Sequence, residues 1–178
     1  SIILQKGQLL IAEPNLFGDF SFNRSVLLLT EHNAVEGSIG FILNKPLQYS
    51  INDLIDDIDA SFEIYNGGPV EQNNLYFIHT IPTIIPNSIE ISNGIYWGGD
   101  FETAISLLKT GDVESSSIRF FIGYSGWSEG QLQGELKEKS WITSKGTRKL
   151  IFHKDMNEIW KDALIDLGGD YEQLINYP

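Results

Sequence analysis

Four ionisable side chains stand apart by type. Arg24 can grip a carboxylate or phosphate through two parallel N–H groups, while His32, His79 and Glu135 are of the types that serve as acid–base groups. Together they would make an anion clamp with acid–base groups. Asn44, Tyr124, Trp127 and Gln131 complete a candidate ligand site of eight residues. Most of them lie near ends of expected elements or beside glycine and proline turns, where loops at sheet ends build sites. The structural alternative gives each a local role, with Arg24 pairing with a carboxylate and Asn44 and Gln131 satisfying turn backbone.

Other chemistry fails on spacing. The run Gly123-Tyr124-Ser125-Gly126-Trp127 approaches a nucleophile elbow, but its second glycine comes one residue early. His153 is the sole histidine downstream of Ser125, so a triad has little to draw on. His32, His79 and His153 are too widely separated for two ligands on one element, so no metal and no cofactor is expected. Neither Gly67-Gly68-Pro69 nor Gly123–Gly126 matches a phosphate-binding fingerprint. The helix expected to start at Ser128 would still offer free N–H groups to an anion.

The elements that position these residues follow from periodicity and turn chemistry. Strands are expected at Gln8–Ala12, Ser25–Thr30 and Ser38–Leu43, separated by Pro14–Asp19 and the Ala34–Gly37 turn, with Asn44-Lys45-Pro46 ending the third. A short amphipathic helix over Ile51–Asp59 would bury Leu54, Ile55 and Ile58. Strands return at Phe62–Tyr65 and Leu75–His79, and Ile89–Ile91 pairs with Ile95–Trp97 across Asn93-Gly94. A helix over Asp100–Lys109 stops at Gly111. The segment Arg119–Glu135 reads as strand, glycine turn and helix start, with Ser128 and Gln131 as a capping box. Short strands near Trp141–Thr143 and Leu150–Phe152 and a helix over Met156–Leu167 close the pattern. Strands come in runs rather than alternating with helices. That predicts an α+β fold with a large mixed, mostly antiparallel sheet flanked by helices, in a single domain over residues 1–178.

Composition limits the partners. An apolar fraction of 42% fits a globular chain, and no apolar run is long enough to span a membrane. The first residues lack the basic region and cleavage site of a secretory signal. With no cysteine as well, a cytoplasmic location is expected. The net charge of −12 repels nucleic acid, so direct DNA binding is disfavoured, although Lys137–Lys154 is locally basic.

Several pieces in order resemble one family. They are Gly7–Ala12, Phe22–Val26 leading to Glu31-His32, Gly40–Pro46, Gly67–Val70, Leu75–His79, Gly123–Trp127, Gly130–Leu132, Glu135 and Trp141. In that spacing they resemble the YqgE/AlgH family of small bacterial proteins, over essentially the whole chain. The resemblance implies an α+β fold with a large mixed sheet, and it brings no catalytic residues with it. The family's label of transcriptional regulator does not transfer by itself. The expectation is a binding or regulatory module without turnover, whose partner is another protein or a small anionic ligand. The alternative is an enzyme using Arg24, His32, His79 and Glu135 on a small anionic substrate.

Overall fold

The computed structural model describes residues 3–14, 23–33 and 35–176. Ala34, Phe22 and all but the first residue of the expected Pro14–Asp19 separator lie outside that set. Ten strands are described: β1 Gln8–Ala12, β2 Val26–Asn33, β3 Gly37–Ile42, β4 Pro46–Ser50, β5 Glu63–Asn66, β6 Val70–His79, β7 Ile89–Ser92, β8 Ile95–Trp97, β9 Ile118–Trp127 and β10 Trp141–Lys145. The helices are α1 Ile51–Leu54, α2 Phe101–Thr110, α3 Gln131–Lys137, α4 Arg148–Ile151 and α5 Ile159–Leu167. The fold is α+β, as the clustering of strands predicts.

Strands run in the order β10-β1-β2-β3-β9-β6-β8-β7, every neighbouring pair antiparallel. The parallel component is β5 on β9, with β4 antiparallel to β5. Strand β9 is therefore the junction. Its first half pairs with β5 through Phe120–Ile122, its last residues pair with β3, and β6 runs along the opposite edge. The sheet also curls: Lys6 Nζ donates to Glu90 O at 3.2 Å, and a Cβ on Gly7 would lie 2.3 Å from Ser92 Oγ.

Period-two alternation sorts the apolar residues into three cores. On one face Leu9, Ile11, Leu28, Phe41 and Phe121 pack against Trp160, Ala163 and Leu164 of α5. The other face is split. Leu10, Leu27, Leu29 and Ile42 meet Trp127, Leu132 and Trp141 near α3, whereas Phe120, Ile64 and Phe77 meet Ala104, Ile105 and Leu108 of α2. Adjacent Phe120 and Phe121 are both fully buried, each worth about 2 to 3 kcal/mol of transfer free energy, which ties the two faces together at β9.

Several expectations need correction. The run Gly123–Trp127 is not a turn; it is the second half of β9. Gly123 accordingly has φ 73°, and a Cβ there would sit 2.4 Å from Gly68 O, so glycine serves close strand packing. Helix α3 starts at Gln131 behind Gly130 at φ 75°, later than the Ser128 start. Pro46 begins β4 instead of merely ending β3, because β4 pairs only with β5 and a proline N is tolerated on an edge. The Ile51–Asp59 helix stops at Leu54. Asn52 takes over the following loop, donating to Ile58 O (2.9 Å) and Ala60 O (2.7 Å) and accepting from Phe62 N (3.0 Å), which leaves Leu54 exposed. Residues Leu150–Phe152 belong largely to α4, capped by Thr147 Oγ1 accepting from Leu150 N, and not to a strand. The Asn93-Gly94 hairpin turn has positive φ at both residues, 44° and 82°, as that dipeptide predicts. No helix among the described residues is long and apolar enough to cross a membrane.

Candidate functional site

The eight expected site residues fall into three groups. Arg24 and Asn44 sit together at the start of β2. Asn44 Oδ1 accepts from Val26 N and its Nδ2 donates to Arg24 O, both at 2.9 Å, so its side chain bridges the beginning of β2 to the end of β3. Arg24, held at φ 52°, stacks its guanidinium over the Trp160 ring, 4.9 Å from the centroid.

His79 is fully buried at the end of β6. Its Nδ1 accepts from Ile81 N at 3.1 Å, which leaves Nε2–H to donate to Gly98 O at 3.0 Å. Burial pushes its pKa below the ordinary value, opposed by the Gly98 carbonyl. It is a neutral, satisfied core histidine. It pairs across the ladder with Ile118, whereas Ser38, the neighbour of His32, pairs with Trp127 at the other end of β9. Nine residue steps at about 3.3 Å separate those ends by about 30 Å. Arg24, His32, His79 and Glu135 thus do not converge on one cleft.

The remaining residues do come together. A cavity of about 740 Å³ opens between the β2–β3 hairpin and the end of β9, and His32, Tyr124 and Trp127 line it with Lys6, Glu31 and Ser38. Local sequence builds this place. A bulge between Leu29 and Glu31 shifts the register of β2 so that His32 faces Ser38. Asn33 Oδ1 then closes the hairpin by accepting from Val35 N (2.8 Å) and Glu36 N (3.2 Å). Gly37, at φ 108°, lets the hairpin pass so near β9 that a Cβ would lie 2.1 Å from Trp127 O.

Behind the cavity wall Trp127 is clamped. Glu135 Oε1 accepts from both indoles, Trp127 Nε1 at 3.1 Å and Trp141 Nε1 at 2.8 Å, and Oε2 accepts from Gln131 Nε2 at 3.2 Å. Gln131 Oε1 also accepts from Ser128 N at 3.0 Å, so the side-chain half of the expected capping box forms although the helix begins later. Glu135 and Gln131 therefore hold the cleft wall in shape, and their hydrogen-bonding atoms are already engaged.

Inside the cleft the short contact is His32 Nδ1 to Ser38 Oγ, 2.6 Å, with Ser38 buried and His32 half-buried. A hydroxyl beside an imidazole is half of a nucleophile–base arrangement; the other half is a group orienting the imidazole. Among the described residues no carboxylate bonds His32. Ser125 is buried and donates to Gly67 O at 3.2 Å, a strand-packing role. His153 contacts Asp162 Oδ2 at 2.5 Å on the α5 side, and no three metal-ligating side chains cluster among the described residues.

Reading the sequence missed two residues. Ser38 carried no signal beyond being a strand serine. Arg119 did: an arginine between Ile118 and Phe120 in an apolar strand must bury its stem on a core face. It is 9% exposed, and burial pushes its pKa down.

Comparison with other proteins agrees with this architecture. The AlgH-like family, DUF179, matches residues 9–172. A UPF0301 protein of Cytophaga hutchinsonii is 43% identical over 179 residues, 99% of this chain and 97% of its own length. One from Chlorobaculum tepidum is 41% identical over 177 residues, 99% of this chain and 94% of its own length. Two solved structures share the fold: a protein of Corynebacterium diphtheriae, TM-score 0.82 at 18% identity over 99% of this chain and 94% of that one, and the AlgH protein of Pseudomonas aeruginosa, TM-score 0.75 at 24% identity over 100% and 96%. By the family match and the identity of its relatives along nearly their whole length, this chain belongs to the AlgH-like UPF0301 family.

Proposed function

We propose that this chain is a binding module that receives its partner in the cleft between the β2–β3 hairpin and the end of β9, without turnover of its own. The carrying observation is the convergence of His32, Tyr124 and Trp127 on a cavity of about 740 Å³ whose wall is held by the Glu135 clamp. Aromatic faces with Lys6 and His32 give a small anionic ligand its contacts, against Glu31 and Glu36 in the same lining, and the same surface suits a side chain presented by a protein partner. Regulation through such a partner is the form of the transcriptional-regulator label this cleft accommodates, while a net charge of −12 opposes direct DNA contact. Titrating the protein with dicarboxylates and sugar phosphates while following tryptophan fluorescence tests the reading. A saturable change is expected that His32→Ala or Tyr124→Ala weakens, with no product formed. Turnover in a broad hydrolase and phosphatase screen that His32→Ala removes would overturn it.

A second reading rests on the 2.6 Å contact between His32 and Ser38. In it the pair acts as base and nucleophile on an activated ester: His32 takes the Ser38 proton as the oxygen attacks the carbonyl, the ester C–O bond breaks, and the phenol leaves with that proton, the acyl group staying on Ser38 until water hydrolyses it. Release of nitrophenol from nitrophenyl acetate, abolished by Ser38→Ala in a folded protein, would favour this reading over the first.

A further inference from the structure

The other end of β9 carries a separate and unusual charge. Strand alternation turns Arg119 to the same face as Phe121, with its guanidinium 5.5 Å from the centre of the Phe152 ring. The donors it has placed go to neutral acceptors. Nη1 donates to Ser115 O and, at 3.4 Å, to Ile118 O; Nη2 donates to His153 O at 2.9 Å. The Nε–H is buried and has no acceptor among the described residues.

Among the described residues no carboxylate pairs with this cation. The ion pairs there are Lys149–Asp166 and His153–Asp162, neither involving Arg119. Glu63 partly offsets the desolvation of Arg119 through space, but it forms no ion pair with it and accepts the Tyr65 hydroxyl at 2.9 Å. A guanidinium nine-tenths buried, oriented by carbonyls, with one N–H open and no carboxylate in hydrogen-bonding contact, is poised to receive one.

There is room for it. A cavity of about 270 Å³ adjoins Arg119, and Ser61, Glu63, Tyr65, Ser115 and Lys154 share its lining. Lys154 is exposed and adds a second positive charge at the rim, whereas Glu63 adds an acceptor of opposite sign. A bare anion would satisfy only the cationic part of this lining. A molecule with both an anionic and a donor group satisfies both.

We propose that this cavity binds a small carboxylate bearing its own hydrogen-bond donor, of the class of short α-hydroxy and α-amino acids. The carboxylate lies against Arg119 and Lys154, and the hydroxyl or ammonium faces Glu63. This site is independent of the cleft at Trp127.

The test is a titration of the full chain with glycolate and with glycine, followed by proton–nitrogen NMR. The Arg119 Nε–H and the Ser61 and Glu63 amides are expected to shift saturably with at least one of the two. Acetate, which lacks the donor, is expected to move them far less. Lys154→Gln, on the exposed rim, should weaken binding about fivefold, the scale of one solvent-exposed charged contact. Glu63→Gln should reduce the preference for glycine over acetate. Arg119→Gln should abolish the response, and the two rim variants and the wild-type Nε–H signal decide the matter if that variant does not fold. The proposal is overturned if neither probe moves these signals, if acetate moves them equally, or if both rim variants bind as the wild type does.

Discussion

The two ends of β9 solve the same problem in different ways. Each must end a strand that is central to the sheet, beside a cavity, with polar groups near apolar cores. At the Trp127 end the polar groups satisfy one another: two indole N–H groups share Glu135 Oε1, Gln131 holds Oε2, and His32 meets Ser38. At the Arg119 end a full charge is buried with carbonyl partners and one donor to spare. The first end is rigid because its bonds close on themselves. The second keeps one buried donor open because its bonds orient a charge that Glu63 offsets only through space.

The strongest challenge to this contrast is at the hairpin that walls the Trp127 cleft. Gly37→Ala would force a Cβ to 2.1 Å from Trp127 O at φ 108°, and the expected loss is about 3 kcal/mol in urea unfolding. A loss below about 1 kcal/mol would mean that this end is less closely packed than described. Next comes Glu135→Ala, which removes the acceptor shared by two largely buried indoles and should cost about 2 kcal/mol. Glu135→Gln keeps an oxygen there and should cost less; equal losses would assign the effect to packing rather than to the shared acceptor.

Ser38→Ala takes the hydroxyl from His32 and should cost about 1 kcal/mol, measured the same way. Arg119→Met should stay within about 1 kcal/mol of the parent, because relief of a desolvated charge that Glu63 offsets only through space balances the donors lost to the Ser115 and His153 carbonyls. If it costs more than Glu135→Ala, the contrast between the two ends is inverted. The smallest effect at neutral pH belongs to His79, beside Ile118 at the Arg119 end. Burial lowers its folded pKa below the unfolded value of about 6.5. Its contribution is therefore complete above that pH and is lost as pH falls toward the depressed folded value. Urea unfolding from pH 7.5 down to 5 should show that decline, and His79→Gln should lessen it.

Much of the fold was legible in local patterns. Alternation located β1, β2, β3 and β9; Asn93-Gly94 marked the β7–β8 turn; Gly111 marked the end of α2. The misplacements share a cause. Glycines at Gly123 and Gly126 read as a turn because glycine frees the backbone, yet here Gly123 is small so that the chain at Gly68 can pass close by. Distance between chain segments is invisible to a local reading. Leu150–Phe152 looked like a strand because a short apolar run fits either buried element, and the Thr147 cap settled it as α4.

The candidate site divided along the same line. Residue types picked out His32, Tyr124, Trp127, Gln131 and Glu135, and these five do gather around one cleft and its wall. Arg24, Asn44 and His79 have equally suggestive side chains but lie outside that cleft, Arg24 over the Trp160 ring, Asn44 on β2 backbone and His79 on Gly98. Composition and periodicity were enough to determine an acidic α+β chain with a large, mostly antiparallel sheet, because burial of alternating apolar residues acts over a few neighbours at a time. Which polar groups face a cavity and which face each other was decided by sheet register: a bulge after Leu29 sets His32 on Ser38, and ladder pairing puts His79 and Trp127 at opposite ends of β9. Hydrogen bonds are short-ranged and directional, so their partners are chosen only once the chain has brought distant segments together.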